Sequence, residues 1–279
     1  MVFINVVLMA AYAISLGPAR VWRRPLQRTW CRALCWTAGL RLRVSGVPRN
    51  QGPTLFVANH CSYLDIPVIS READGTFVAK ADVSRWPLFG QAARLTRTIF
   101  IQRVGVEAKA QGQQLLDRLA GGDNLILFPE GTSGDGASVC TFKSTLFSIV
   151  GDRPASSTAG GAEPVVQPVS ITYARDFDGT PLIGPLRELY CWFGDMTMLP
   201  HLMRMLSLPG CEVELRFLEP IATVGVSRKE LARTAQAAVA ASVADVNAAL
   251  GAAPPPPLLP KSVAESSSAA HPVPREFSA

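Results

Sequence analysis

A histidine and an aspartate five positions apart are the residues of this sequence best suited to chemistry. They lie in the segment 59–65, Asn-His-Cys-Ser-Tyr-Leu-Asp, which follows an apolar run typical of a buried strand, Thr54–Ala58. Strand ends are where α/β proteins place reactive groups. An imidazole there can act as a general base near neutral pH when a second group fixes its tautomer and stabilises its charged form. Asp65 lies one helical turn beyond His60 and can fold back on its ring, so the pair is a candidate base with its orienting acid.

Other interpretations of this segment stay open. An aspartate at this spacing can simply cap a helix beside a histidine that is hydrogen-bonded for structural reasons. Cys61 is favoured as a small buried residue over a nucleophile, because the side chains of adjacent residues project in different directions. A serine hydrolase is disfavoured, since the sequence contains no Gly-x-Ser-x-Gly motif. A base and an acid without a nucleophile point to the hydroxyl of a substrate as the attacking group.

Two further strand ends carry polar residues. One follows the apolar run 124–128 and consists, after a proline, of Glu130, Gly131 and Thr132. Glycine permits a close approach of a ligand to the backbone, and the carboxyl and hydroxyl groups suit a hydroxylated ligand. The other strand end leads to Arg103, a cation suited to a phosphate. Taken singly, these features are an ordinary strand exit and a solvated surface charge.

The rest of the chain alternates short strand-like patterns with longer helical ones. Strands are predicted at 41–45, 54–58, 76–79, 98–101, 124–128, 165–173 and 211–218. Helices are predicted at 62–71, 86–95, 107–120, 141–150, 195–206 and 227–250. The last helix opens with Ser227 and Glu230 as a capping box. This alternation predicts an α/β fold, a single domain over 41–250 with a mixed sheet flanked by helices.

The N-terminus differs from the rest in charge and hydropathy. Residues 1–50 hold eight of the 27 basic residues and none of the 22 acidic ones, which leaves 19 basic against 22 acidic residues elsewhere. The apolar run 2–16 would span roughly 22 Å as a helix, less than the ~30 Å core of a bilayer. A second helix, predicted over 19–40, interleaves tryptophan with arginine, as helices in a headgroup layer do. We predict membrane-associated helices over 1–40, with a buried hairpin of the core as the alternative.

Cysteine, histidine and proline patterns exclude several classes of protein. The six cysteines form no Cys-x-x-Cys pair and only three histidines are present, so we expect reduced thiols and no metal site. The excess of basic charge is local and follows an apolar run, which favours a membrane surface over nucleic acid. Residues 251–279 are rich in proline, alanine and serine, and they are predicted to form a disordered tail.

Taken together, four short blocks resemble those of the glycerolipid acyltransferase family, whose best-known members are the 1-acylglycerol-3-phosphate acyltransferases. The blocks are Asn-His-x4-Asp at 59–65, Phe-Ile-Gln-Arg at 100–103, Phe-Pro-Glu-Gly-Thr at 128–132 and Gln-Pro-Val-Ser at 167–170. The resemblance covers residues 40–220. It implies transfer of a fatty acyl group from acyl-CoA or acyl-carrier protein to the free hydroxyl of a lysolipid, with no acyl-enzyme intermediate and no cofactor.

The resemblance also implies a role for each block. His60 would be the general base that takes the proton of the acceptor hydroxyl, and Asp65 would orient the imidazole and balance its charge. Pro168 and its neighbours would shape the acyl-donor side. The residues implied in binding the acceptor are Arg103 for its phosphate, Glu130, Gly131 and Thr132 for its polar groups, and Lys143, which could contact phosphate or form a salt bridge.

The acceptor has two candidate identities. The main prediction is 1-acylglycerol-3-phosphate, which would give phosphatidic acid at the cytoplasmic face of the bacterial inner membrane. The stretch 190–201 is similar to a bacterial subgroup that includes lyso-ornithine lipid acyltransferases, whose acceptor carries no phosphate, and this is the alternative. His201 within that stretch is expected to pack or to face the membrane interface rather than to catalyse. A non-catalytic membrane lipid-binding protein is the third interpretation, disfavoured because a binding protein gains nothing from a base and acid pair.

Overall fold

Within the part of the chain that the structure describes, eight strands form one mixed sheet with helices on both faces. The computed structural model describes residues 10, 23–85, 90, 93, 96, 98–101, 106–152 and 163–251. The strands are β1 (Leu40–Ser45), β2 (Thr54–Ala58), β3 (Thr76–Lys80), β4 (Ile99–Ile101), β5 (Leu125–Leu127), β6 (Val165–Asp176), β7 (Cys211–Phe217) and β8 (Ile221–Ala222). The helices are α1 (Arg23–Thr37), α2 (Asp65–Ser70), α3 (Val106–Ala120), α4 (Pro185–Glu188), α5 (Met198–Leu206) and α6 (Arg228–Ala249), with 3-10 turns at Ala81–Arg85 and Ser144–Phe147.

The strand order places β2 in the middle of the sheet. The order is β1-β7-β6-β2-β5-β3-β4, and β8 pairs with β6. β2 pairs in parallel with β5 and β6, whereas β6 pairs antiparallel with β7 and β8. Val57 of β2 lies opposite Leu127 of β5 on one side and Pro168 of β6 on the other. Because the carboxyl ends of parallel strands lie at one edge of a sheet, the loops that follow β2 and β5 emerge side by side.

The strands bury alternate residues against two layers of helices. On one face the core includes Phe56 and Tyr173 together with residues of α1, α2 and α5. On the other face Leu55 and Val166 pack with residues of α3, α6 and the second 3-10 turn. The segment that follows β2 packs into the first of these cores, in part through Cys61, and this packing fixes its course at the sheet edge.

The predicted α/β class and the mixed sheet are confirmed, and most predicted elements are present with bounds shifted by a few residues. The N-cap of α6 is also confirmed, because the hydroxyl of Ser227 accepts the backbone N–H of Glu230 at 3.2 Å. The sequence analysis missed the short elements α4 and β8. The helix predicted at 86–95 falls mostly outside the described residues.

Two helix predictions are wrong in extent, and in each case backbone N–H groups of the predicted helix donate to an acceptor other than a helical carbonyl. The helix predicted at 62–71 begins only at Asp65, because the carboxylate of Asp65 accepts backbone N–H groups of the residues ahead of it. Of the helix predicted at 141–150, a 3-10 turn at 144–147 is the helical part. The N–H of Lys143 is bonded instead to the carbonyl of Pro129 at 2.9 Å.

The N-terminal predictions are tested in part. Helix α1 lies within the predicted helix 19–40, and it packs Cys35 into the core while Arg32 and Trp36 stay exposed. None of the helices that the structure describes has the length and the hydropathy needed to cross a bilayer. Apart from position 10, the run 2–16 lies outside the described residues, as does the tail beyond position 251. The division into domains therefore stays a prediction.

Candidate active site

The predicted pair of His60 and Asp65 meets directly at the carboxyl end of β2. Nδ1 of His60 lies 2.8 Å from Oδ2 of Asp65. The carboxylate is completely buried, whereas the imidazole side chain is 20% exposed. Since a carboxylate only accepts hydrogen bonds, this contact places the ring proton on Nδ1 and leaves the lone pair on Nε2. The nitrogen that can take a proton is thus the one turned away from Asp65.

The carboxylate of Asp65 is held by four donors. Besides the ring of His60, Oδ2 accepts the backbone N–H groups of Cys61 at 2.7 Å and Ser62 at 2.9 Å. Oδ1 accepts the hydroxyl of Tyr173 at 2.8 Å, and burial raises the pKa of that hydroxyl well above its usual value. Four donors stabilise the negative charge and fix the orientation of the carboxylate. Asp65 can therefore both position the imidazole and balance its positive charge.

The ring of His60 is held from one side by an aromatic partner. Phe128, the first residue after β5, stacks on it with the ring centroids 4.0 Å apart and the planes inclined by 16°. Phe128 in turn stacks on Phe77 of β3 at 6.0 Å. The three stacked rings belong to β3 and to the ends of β2 and β5. The stacking restricts the imidazole to one orientation, as a general base requires.

The backbone around His60 is tied to the strands on either side. The Asn59 side chain bonds to both the N–H and the carbonyl of Ile171 in β6, at 2.8 and 2.9 Å. The carbonyl of His60 accepts the N–H of Gly134 at 2.9 Å. The carbonyl of Cys61 accepts the N–H of Trp192, at 2.8 Å. These contacts hold the loop extended between β2 and α2.

Glu130 lies behind this loop and is 3% exposed. Its Oε1 accepts the backbone N–H of His60 at 3.0 Å, and its Oε2 accepts the N–H of Cys140 at 3.1 Å. Burial raises the pKa of the Glu130 carboxyl to about 7, and these hydrogen bonds oppose that rise. Glu130 thus contacts the backbone of His60. Its predicted contact with the acceptor stays a prediction.

The other residues of this block lie around the turn that follows β5. Gly131 has φ +73°, a conformation that residues with a side chain rarely adopt, and its N–H donates to the carbonyl of Phe128 at 3.1 Å. Thr132 is exposed, and so is Lys143, whose backbone is bonded to Pro129 at the start of the same turn. The structure therefore places these residues at the turn that begins with Phe128, whose ring stacks on that of His60.

The two remaining blocks have different outcomes. Gln102 and Arg103 lie outside the described residues, so the predicted phosphate contact is untested. The block 167–170 lies within β6 and is buried. There the side chain of Gln167 bridges the carbonyls of Val47 and Leu218, at 2.9 and 3.0 Å. These contacts stabilise the sheet, and a donor-binding role for Pro168 stays a prediction.

A buried arginine that the sequence analysis missed ties the site to its surroundings. Arg187 donates from Nε to the carbonyls of Tyr173 and Leu182, and from Nη1 to the carbonyl of Gly136 at 2.8 Å. Burial lowers the pKa of its guanidinium. Gly136 has φ +76°, and a Cβ there would come within 3.0 Å of Arg187 and 3.4 Å of the Cys61 sulfur, so a residue with a side chain is strained at this position. Periodicity gave no signal for this group, because its partners are backbone carbonyls of distant segments.

Cys61 is a buried neighbour of the base. A hydrogen bond with Cys191 and burial raise the pKa of the Cys61 thiol well above its usual value. A thiol in this environment is a poor source of thiolate. The structure thus supports the interpretation of Cys61 as a small buried residue.

His201 packs beside the site without touching Asp65. Its Nδ1 lies 3.0 Å from the hydroxyl of Tyr63, and the two rings meet edge to face. Burial lowers the pKa of the His201 imidazole, which favours its neutral form. The expected packing of His201 is confirmed, and the absence of a catalytic role stays a prediction.

Among the described residues, no group of three or more histidine, cysteine, aspartate or glutamate side chains is arranged to hold a metal ion. The chemistry that the described arrangement supports directly is proton transfer by Nε2 of His60. The group that exchanges this proton must reach Nε2, the ring nitrogen that does not contact Asp65.

Comparisons with known proteins identify the family that this chain resembles. A family model described as acyltransferase matches residues 41–172, which include the segments at 59–65 and 128–132. The lyso-ornithine lipid O-acyltransferase of Brucella abortus is 37% identical over 243 residues, covering 84% of this chain and 90% of the relative. The 1-acyl-sn-glycerol-3-phosphate acyltransferase of Neisseria meningitidis is 30% identical over 113 residues, covering 40% of this chain and 44% of the relative.

A solved structure has the same fold. The crystal structure of the 1-acyl-sn-glycerophosphate acyltransferase PlsC from Thermotoga maritima matches with a TM-score of 0.56 and 23% identity. The match covers 88% of this chain and 97% of that one. At this identity the likeness concerns the fold: an α/β domain whose mixed sheet is flanked by helices.

Proposed function

The chain belongs to the acyltransferase family, and we propose that it transfers a fatty acyl group to the free hydroxyl of lyso-ornithine lipid. The observation that carries the reaction type is the contact of His60 with Asp65, which leaves Nε2 as an oriented base. The observation that favours this acceptor is the extent of similarity. The relative named for lyso-ornithine lipid matches 84% of the chain, against 40% for the relative named for 1-acyl-sn-glycerol-3-phosphate.

The proposed reaction begins with the acceptor hydroxyl hydrogen-bonded to Nε2 of His60. Nε2 takes the hydroxyl proton as the oxygen attacks the thioester carbonyl of acyl-CoA or acyl-carrier protein. The charged imidazolium is stabilised by Asp65, whose own charge is held by Tyr173 and two backbone N–H groups. When the tetrahedral intermediate collapses, the carbon–sulfur bond breaks and the imidazolium returns its proton to the sulfur. The products are an ester and a free thiol, and no residue of the protein is acylated.

The acceptor-binding residues are proposed from the sequence blocks and from their placement. Thr132 and Lys143 are exposed on the turn beside His60, where they can contact the polar part of a lysolipid. Arg103 is proposed to bind an anionic group of the acceptor. We place the reaction at the cytoplasmic face of the bacterial inner membrane, where both thioester donors are available. The prediction of 1-acylglycerol-3-phosphate as the main acceptor is not confirmed, and lyso-ornithine lipid takes its place.

A competition between acceptors tests the proposal. The full chain is supplied with a labelled acyl-carrier protein or acyl-CoA and with each lysolipid at equal mole fraction in mixed micelles, and diacyl product and free thiol are measured. We expect lyso-ornithine lipid to be acylated at least about tenfold more efficiently, a difference of about 1.4 kcal/mol. Preferential use of 1-acylglycerol-3-phosphate would overturn the acceptor but not the chemistry.

The chemistry has its own test. His60→Ala is expected to lower acyl transfer by about 10²- to 10⁴-fold, the usual contribution of a general base. His271→Ala, which changes a histidine of the predicted tail, is the matched control and is expected to retain full activity. Near-normal transfer by His60→Ala with unchanged circular dichroism would falsify the assignment of the base.

A further inference from the structure

Helix α5 carries apolar side chains on its outer face as well as on its inner one. Met205 is buried in the core, whereas Leu199, Met203 and Leu206 are 65%, 63% and 46% exposed. Spacings of four and three residues place these three side chains on one side of the helix. We call them the α5 patch. A surface helix normally turns polar residues outward, so the patch requires an apolar or interfacial neighbour.

The α5 patch lies over the segment that carries the base. On the inner side of α5, His201 bonds to the hydroxyl of Tyr63, which is three residues beyond His60. The patch is therefore about one helix diameter, roughly 10 Å, above that segment. Just beyond the C-terminus of α5, Cys211 donates its N–H to the carbonyl of Gly39 at 3.0 Å, and the exposed Trp36 lies three residues before Gly39.

The charged side chain that helix α5 itself exposes is basic. Helix α5 contains Arg204, which is exposed, and no acidic residue; the acid that precedes it in the chain, Asp195, lies before the helix begins. Helix α1 contains no acidic residue either, and its Arg32 is exposed one turn from Trp36. On α5, exposed apolar side chains beside an exposed arginine, with no acid in the helix, match the chemistry of an anionic bilayer surface.

We propose that the α5 patch inserts into the headgroup layer of an anionic bilayer and holds the mouth of the His60 site against the lipid. This contact is separate from the N-terminal segment. It rests on the proposed function in one respect, that the acceptor is a lipid that resides in such a surface. A soluble partner protein would not require a basic residue beside the patch. The contact of the patch with a bilayer can be measured without acyl transfer.

The test reads the environment of the patch itself. Met203→Cys is made in a Cys140→Ser background, because Cys140 is half-buried whereas the other five cysteines are buried. The full chain is labelled with an environment-sensitive fluorophore and mixed with vesicles of phosphatidylglycerol and phosphatidylcholine, or of phosphatidylcholine alone. We expect a blue shift and a severalfold rise in emission with anionic vesicles. A label on Val47→Cys is the matched control. Val47 is 80% exposed and lies just after the C-terminus of β1, whereas Trp36 lies before the N-terminus of that strand.

Three results would overturn the proposal. One is a label at position 203 that stays unchanged while the protein cosediments with the vesicles. Another is an equal response at positions 203 and 47. The third is a response that grows with protein concentration in the absence of vesicles, which would assign the patch to a second copy of the chain. Acyl transfer to an acceptor in micelles is measured on the same samples. If this activity is absent, the proposed function fails, but the fluorescence still reports whether the patch contacts the bilayer.

Discussion

The loops that follow β2 and β5 lie side by side, and each buries one carboxylate. Asp65 in the first loop accepts four hydrogen bonds, from His60, Cys61, Ser62 and Tyr173. Glu130 in the second accepts hydrogen bonds from two backbone N–H groups, those of His60 and Cys140. The exposures of the two residues are almost equal, at 0% and 3%.

The two carboxylates differ in the number of hydrogen bonds that they accept and in the part of His60 that they contact. At Asp65, four donors offset the loss of water around a buried charge, so the carboxylate can serve the imidazole ring. At Glu130, burial outweighs the hydrogen bonds and raises the pKa to about 7. Asp65 therefore acts on the ring of the base and Glu130 on its backbone, and the two carboxylates should respond differently to substitution.

The largest effect is expected for Asp65→Asn. An amide keeps the size of the side chain but removes the charge, and its NH2 group faces N–H donors that need an acceptor. We expect acyl transfer to fall by about 10²- to 10⁴-fold and the free energy of unfolding to fall by about 1–3 kcal/mol. Release of free thiol and urea unfolding measure the two effects. Asp74→Asn, at an aspartate paired with Arg28, is the control, and transfer within threefold of wild type at position 65 would contradict the role of the charge.

The second effect concerns Glu130 and stability. The carboxyl has a pKa near 4.5 when unfolded and about 7 when folded, so the native state holds its proton more tightly. The stability that this group contributes is therefore fully present below pH 4.5 and is lost as the pH rises through 7. Between pH 4.5 and pH 8 we expect a loss of about 3 kcal/mol in the free energy of unfolding. Glu130→Gln should remove this slope, which urea unfolding at several pH values would measure.

The control for that experiment is Glu230→Gln. Glu230 is a surface carboxylate at the start of α6, and pairing with Arg233 lowers its pKa. Its replacement should leave the slope between pH 4.5 and pH 8 in place. If wild type and Glu130→Gln lose stability in parallel over this range, Glu130 does not titrate as inferred, and the contrast with Asp65 fails.

A smaller effect is expected for Tyr173→Phe, which removes one of the four donors to Asp65. We expect a loss of about 1–2 kcal/mol in the free energy of unfolding and a three- to tenfold loss of acyl transfer, since three donors remain. Tyr190→Phe is the matched control. Its ring stacks on that of Tyr173 at 6.1 Å, but its hydroxyl donates to the carbonyl of Gly210. Equal losses of transfer in both variants would show that the loss of a buried hydroxyl, and not of the hydrogen bond to Asp65 in particular, lowers activity.

The pairing of His60 with Asp65 could be predicted from the sequence because it is local. Five residues that turn from an extended strand end into a helix bring the two side chains together, and a buried run ahead of them sets the start of the turn. The same holds for the strands, whose apolar runs are continuous, and for the N-cap at Ser227. These features depend on neighbours within a few residues.

The support around that pair could not be predicted in the same way. Tyr173 lies 108 positions beyond Asp65, and its alternation with Val169 and Ile171 indicates only that it faces a core. Whether Glu130 turns toward a ligand or toward the backbone of His60 depends on the course of two separate loops. The residues that donate to a buried carboxylate follow from sheet order and register, and a single sequence fixes neither.

The smallest effect is expected for Cys61→Ala. This variant distinguishes base catalysis by His60 from a mechanism in which Cys61 is the nucleophile. The N–H of Cys61 serves Asp65 whatever the side chain, and the thiol is buried against Cys191. We expect acyl transfer within about threefold of wild type and a loss of about 1 kcal/mol in the free energy of unfolding from the lost sulfur contacts. Mass spectrometry of protein quenched during turnover should find no acyl group on position 61. A loss of transfer as large as that of His60→Ala, with an acylated cysteine in wild type, would move the nucleophile from the substrate to the protein.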